Sequence, residues 1–125
     1  YTSEQHKDYL VATRKIGADW IEVFQGNSEF YSTDYWDLFT EMWFVGKPIM
    51  VSDALKFMKA IKSPYTARKY LQKVIDEKLV IETRNPNDDR STLVSLSPDM
   101  KSRLDNFFDI TVENMCTVMG EIGSK

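Results

Sequence analysis

The sequence predicts a mainly α domain with one small β-hairpin, on three observations. Apolar residues recur at helical spacing through four segments before Leu79. The period then switches to two short β-branched runs on either side of a polar turn. A final segment returns to helical spacing and holds it to the C-terminus. A chain of 125 residues is the size of one domain, 1–125, and buries roughly two thirds of its unfolded surface.

Each element has its own signal. From Ser3 to about Gly26, Leu10, Thr13, Gly17, Trp20, Ile21 and Phe24 fall near helical spacing. Residues 27–31 break the pattern. Ser32 or Thr33 caps the next helix, with Asp34 in its first turn, where the helix dipole favours a negative charge. Tyr35, Leu38, Phe39 and Met42 form one stripe, with Trp36 and Trp43 beside it. Gly46 ends that helix and Pro48 begins a new approach. Ser52 is the expected cap of a short helix in which Leu55, Met58 and Ile61 face inward. Ser63-Pro64 is a sharper start, because proline at the first helical position has no N–H to leave unpaired. Ala67, Leu71, Val74 and Ile75 then keep one face apolar as far as Lys78. Tyr65, Lys69, Gln72 and Lys73 take the opposite face, with Thr66 and Arg68 at the flanks.

Leu79–Arg84 and Thr92–Leu96 read as strands, and Asn85-Pro86-Asn87-Asp88-Asp89-Arg90 between them is turn chemistry throughout. Ser97-Pro98-Asp99 repeats the serine-cap, proline-first start. The long helix behind it carries Leu104, Phe107, Phe108, Thr111, Met115, Val118, Met119 and Ile122 on one stripe.

Apolar content of 42% and charge of 28% are those of a soluble globular protein. The single cysteine, Cys116, excludes an internal disulfide and fits a reducing compartment; burial in the last helix, which leaves a thiol inert, is the expectation for it. No apolar run reaches the roughly 18 residues of a membrane span, and the start has no signal-peptide pattern. The chain begins at Tyr1 without an initiator Met, as a stretch of a longer product would. A cytoplasmic location follows, with no membrane partner. His6 is a lone histidine near the terminus. No metal-ligand spacing, phosphate-binding loop or nucleophile–base arrangement is visible, so neither an enzyme nor a bound cofactor or metal is expected.

The net charge is −3, yet it is unevenly spread. Residues 1–55 carry four Lys/Arg against nine Asp/Glu, residues 56–90 nine against five, and residues 91–125 three against five. The middle third is basic between acidic ends, and local charge sets attraction to phosphates. Read alone, the same lysines describe a solvated helical face. The order of elements adds more. A short helix, a tight connection, a second helix with a basic outer face and a hairpin make a winged helix-turn-helix, here about 47–97. The second helix of such a pair fits the major groove, where each base pair shows a distinct pattern of donors and acceptors.

The stretch from Met50 to Leu104 resembles the MarR family of bacterial regulators, most of all from Asn85 to Pro98. The family's wing has an acidic residue, one intervening residue, an arginine, an apolar strand and a Thr/Ser that starts the last helix. Asp88 matches the acidic position and Arg90 the wing arginine. The resemblance implies a dimeric transcriptional regulator, a repressor released by a small-molecule effector, that binds double-stranded DNA in the bacterial nucleoid. It implies that the first and last helices, about 1–31 and 98–125, intertwine as dimerisation helices. The chain departs from the pattern twice. Lys78 stands where the family has glycine, so the turn after the recognition helix is expected to be built differently. Glu82 stands where the family often has a basic residue, the nearest here being Arg84.

Candidate contacts follow. On the recognition helix they are Tyr65, Thr66, Arg68, Lys69 and Lys73, with Arg68 suited to bidentate readout of guanine. On the wing, Arg90 suits a narrow minor groove, and Asp88 or Asp89 suits a bidentate pair that holds its guanidinium, the family pattern favouring Asp88. Trp20, Phe24, Trp36, Phe39 and Trp43 at helical spacing read first as core. The resemblance also implies an effector pocket for a phenolic or other aromatic small molecule, with Trp20, Trp36 and Trp43 as candidate lining. A second reading is a winged-helix protein-interaction module without DNA binding, which the acidic total, Glu82 and Lys78 favour.

Overall fold

The computed structural model of the chain describes residues 1–123. In chain order its elements are α1 (Ser3–Val23), α2 (Thr33–Val45), β1 (Ile49–Met50), α3 (Val51–Phe57), α4 (Pro64–Asp76), β2 (Val80–Arg84), β3 (Thr92–Leu96) and α5 (Pro98–Gly123). A 3₁₀ turn, Ser28–Phe30, precedes α2. The mainly α architecture with one hairpin is the one the sequence predicts. β2 and β3 are that hairpin, antiparallel, with Val80 opposite Leu96 and Arg84 opposite Thr92.

The helix starts are those written in the serines. Ser32 Oγ accepts from the Tyr35 amide, Ser63 Oγ from Thr66 at 3.3 Å, and the buried Ser97 from Met100 at 3.0 Å. Each satisfies one amide that the first turn leaves without a partner. Gly46 ends α2 in the left-handed conformation at φ 70°, which glycine adopts without a Cβ clash.

Two local expectations fail. Ser52 is not a cap. Met50 is extended in β1, where it pairs with Leu93, and the chain passes directly from that strand into α3 with no side-chain cap. The strand itself, two residues long, makes a three-stranded sheet in the order β1-β3-β2. The inward row of α3 is also different. Ala54 and Met58 are buried, one turn apart, while Leu55 and Ile61 are half-buried. Helix α3 stops at Phe57, so Ile61 lies beyond its register.

The chain divides into two compact units. One holds residues 1–28 and α5 from Arg103 onward; the other is Glu29–Ser102. Thus α2 goes with the helix-turn-helix and the hairpin. In the second unit Leu38, Phe39, Ala54, Met58, Leu71, Val74, Val80, Val94 and Met100 are buried, drawing on every helix and on the sheet. In the first unit α1 and α5 run antiparallel: Gln5 donates to the Ile122 carbonyl at 3.2 Å, and Arg103 to that of Val23 at 3.3 Å. Trp20 sits edge-on to Phe24 at 4.8 Å and to Phe107 at 5.4 Å. Such aromatic pairs contribute about 0.5–1.5 kcal/mol beyond their buried area. Of the stripe predicted on α5, Leu104 and Phe107 are buried, whereas Met115 and Met119 are exposed, at 47% and 67%. Cys116 between them is exposed, not buried, because it lies on the side of α5 turned away from that packing.

Candidate nucleic-acid interface

Helix α4 is built to present one face. Ala67, Leu71 and Val74 bury the other against the winged unit, leaving Tyr65, Arg68, Lys69 and Gln72 exposed. Thr66 is half-buried near the N-terminus, where its amide is taken by Ser63. The Lys69 ammonium lies 4.6 Å from the centre of the Tyr65 ring, one turn back, a cation–π contact at an exposed site. Tyr65, Arg68, Lys69 and Gln72 line an open hollow of about 350 Å³ whose far wall includes Val51 and Glu82. Helix α4, the start of α3 and the first hairpin strand therefore share one surface.

Lys73 turns elsewhere. Its ammonium is 3.3 Å from Glu77 and 3.5 Å from Glu29. The Glu77 hydrogen bond and the Glu29 charge hold it above the ordinary lysine range. With Lys69 it borders a second hollow, beside Glu29, Ser32, Tyr35 and Tyr70. Tyr35 there stacks on Tyr70 at 5.2 Å and donates to the Tyr70 carbonyl at 3.4 Å. Burial, followed by the charge of Glu29, pushes its phenol up to about 12.

Helix α4 ends in a left-handed residue that is not glycine. Lys78 has φ 62°; its amide donates to the Ile75 carbonyl at 3.0 Å, and the Leu79 amide to that of Val74 at 2.9 Å. These are the two bonds of a Schellman cap, completed by buried Leu79 and Val74. The turn is thus built as a glycine would build it, against the expectation.

The wing tip is ordered by short side chains. Asn85 accepts from the Asn87 amide at 3.0 Å and donates to Ser91 Oγ at 2.9 Å. Asp88 accepts from the backbone amide of Arg90 at 3.0 Å. The carboxylate expected to hold the Arg90 guanidinium therefore holds its backbone. Asp89 pairs with a different arginine, Arg84, at 3.0 Å across the base of the loop. An aspartate two residues before an amide forms a local turn in preference to reaching a flexible side chain. Arg90 itself is exposed at the tip.

Three further lysines, none of them expected as contacts from the sequence, stand on this side of the winged unit. Lys56, at the end of α3, and Lys59 and Lys62, in the connection to α4, are all exposed. Met58 between them is buried, and the Ile61 amide donates to its carbonyl at 3.1 Å, so the connection is anchored. The signal is there to be found: from Asp53 to Asp76 the sequence holds six Lys/Arg and no intervening Asp/Glu.

The three tryptophans are not equivalent. Trp20 is buried in the α1–α5 unit among Phe24 and Phe107. Trp36 is half-buried on α2. Trp43, two turns on, lines a cavity of about 140 Å³ with Met42, Pro48, Leu96, Lys47 and Lys101.

A two-helix unit followed by an antiparallel wing, closed by a short strand ahead of its first helix, is a winged helix-turn-helix. The whole chain has the fold of the MarR-type transcriptional regulators. Among solved structures it is similar to a MepR mutant from S. aureus bound to an oligodeoxyribonucleotide, with a TM-score of 0.69 at 13% identity, over 96% of this chain and 83% of that one. It is also similar to transcriptional regulator Tm0710 from Thermotoga maritima, with a TM-score of 0.66 at 8% identity, over 97% and 82%. A MarR transcription factor from Planctomyces limnophilus matches with a TM-score of 0.50 at 17% identity, over 99% and 87%. No protein-family model matches the chain, and neither does any curated protein. At these identities the likeness is one of fold.

Proposed function

We propose that the chain is a sequence-specific, double-stranded DNA-binding transcriptional regulator that acts as a homodimer. The observation that carries this reading is the shared surface of α4 and β2. There Tyr65, Arg68, Lys69 and Gln72 stand exposed on one helix face beside a wing that ends in exposed Arg90. A helix of this width enters the major groove, and Arg68 has the fork that meets guanine O6 and N7. Arg90 reaches the flanking minor groove. Lys56, Lys59 and Lys62 neutralise backbone phosphates beside the N-terminus of α4, a position that itself favours anions. Lys73, held by Glu29 and Glu77, braces the helix and takes no phosphate. The solved MepR complex with an oligodeoxyribonucleotide supports the reading.

The dimer part rests on exposed apolar surface in the α1–α5 unit: Tyr9, Val11, Val112, Met115 and Met119. A second copy that covers these residues takes apolar side chains out of water, which favours association. A small aromatic effector is the further part of the reading, and the Trp43 cavity supports it. Its 140 Å³ is close to the roughly 150 Å³ that holds a benzene ring.

Fluorescence anisotropy of a labelled genomic-fragment pool, titrated with the protein at two salt concentrations, tests the proposal. Saturable binding that weakens steeply with salt is the expected result. A flat response, or no binding, sinks it and leaves the protein-interaction module as the reading.

A further inference from the structure

We propose that Glu82 is a specificity-determining residue that acts by repulsion, holding down attachment to phosphate backbones of any sequence. The inference rests on the DNA-binding reading above. Side chains alternate along a strand, so Glu82 shares a face with buried Val80 two residues before it. Its partner across the ladder, Val94, is buried on that face too. The Glu82 side chain is therefore directed towards the recognition helix and not into the solvent behind the sheet. It is exposed, and it borders the same hollow as Arg68, Lys69 and Gln72. Among the described residues it is the one carboxylate lining that hollow, in a face otherwise built from two cations, a phenol, an amide and apolar groups.

Two cations at the edge of this surface also have carboxylates beside them. Arg84, on the same strand face, is met by Asp89 at 3.0 Å, and Lys73 by Glu77 and Glu29. Arg84 and Lys73, which flank the groove-facing helix, are thus partly neutralised in place. Binding to arbitrary DNA is almost wholly phosphate neutralisation, so each such carboxylate subtracts from it directly. Binding to the right sequence also has base-edge contacts, which a carboxylate at the margin leaves intact. A repulsive element lowers the wrong affinity more than the right one when the register set by base-edge contacts holds the phosphates farther from it than arbitrary registers do, and that is the arrangement proposed. Because a genome offers on the order of a million or more competing sites, that ratio decides occupancy.

The experiment compares the parent chain, E82Q and E82K. Each is titrated against a mixed-sequence duplex and against duplexes that the parent selects from a random pool. Glu82→Gln is nearly isosteric at an exposed position, and an unchanged melting temperature verifies the fold. E82Q is expected to bind the mixed duplex roughly fivefold tighter at low salt, the factor for one close like-charge pair in water. Its affinity for the selected duplex rises less. E82K is expected to steepen the log–log salt dependence by about 0.9 per protomer. Equal affinities of parent and E82Q for both duplexes overturn the proposal. So does a loss of selected-duplex affinity with a changed base preference, which makes Glu82 a reader of cytosine amino groups. A parent that selects no duplex at all is a different failure, since it removes the DNA-binding reading itself.

Discussion

Lys78 occupies a backbone position that suits glycine. A side chain at φ 62° crowds the following carbonyl at a cost of about 1 kcal/mol. Lys78→Gly relieves the crowding and loosens the unfolded chain, so a net gain of roughly 0.5 kcal/mol is expected. Urea unfolding of both chains measures it; a loss of stability means that the lysine side chain contributes more than its backbone strain takes away. Tyr35 gives a second prediction. Its phenol is raised from 10.0 to about 12, so the neutral form is the one the fold favours. The stability from this group is complete below pH 10 and is lost as pH rises through about 12. Tyr35→Phe keeps the ring on Tyr70 and cannot ionise, so its alkaline unfolding should begin at higher pH than that of the parent. Coincident alkaline transitions refute the assignment. Arg90→Ala should weaken DNA binding by about 1–3 kcal/mol with melting temperature unchanged. Equal affinity would take the wing tip out of the interface.

At the scale of elements, the helix-turn-helix lysines make a prediction opposite to a plain count of charges on α4. Lys59→Ala and Lys62→Ala should each make the salt dependence of binding shallower by about 0.9 for every phosphate left without its cation. Lys73→Ala should leave that slope unchanged, because Lys73 is already paired with two glutamates. A slope that drops with Lys73 and not with Lys59 or Lys62 reverses the assignment. These elements are legible in the sequence to different degrees. Caps such as Ser63-Pro64 and Ser97-Pro98 are local chemistry, and both lie where the residues predict them. Strand β1 is not legible, because two residues hold no period and Ile49 and Met50 become a strand only through Val94 and Leu93. The exposed face of α4 can be read from its spacing. Glu77, four residues after Lys73, can be read as its partner from spacing, but Glu29, which lies 44 residues before it, cannot, and the pairing of Arg84 with Asp89 depends on how the loop folds.

At the scale of the whole molecule, assembly is the prediction on which regulation depends most. Sedimentation at micromolar concentration should give a dimer. Met119→Glu and Val112→Glu should shift it to monomer with the winged unit still folded. Burying one large apolar side chain contributes about 1.5–3 kcal/mol. Association costs roughly 4–15 kcal/mol in lost freedom. Several exposed residues among Tyr9, Val11, Val112, Met115 and Met119 are therefore needed to offset it. A clean monomer of the parent chain removes the two-half-site geometry and leaves each winged unit to read DNA alone.

The exposure of Cys116 has a practical consequence. It is the single thiol of the chain, and it stands on α5 among the residues that a second copy would cover. The protein therefore carries its own attachment point for a maleimide reagent or a spin label, with no engineering. Labelling should be fast in dilute solution and slow down as concentration rises, turning a chemical rate into a gauge of association. Two spin labels, one per protomer, would report their separation as DNA or a small aromatic compound is added.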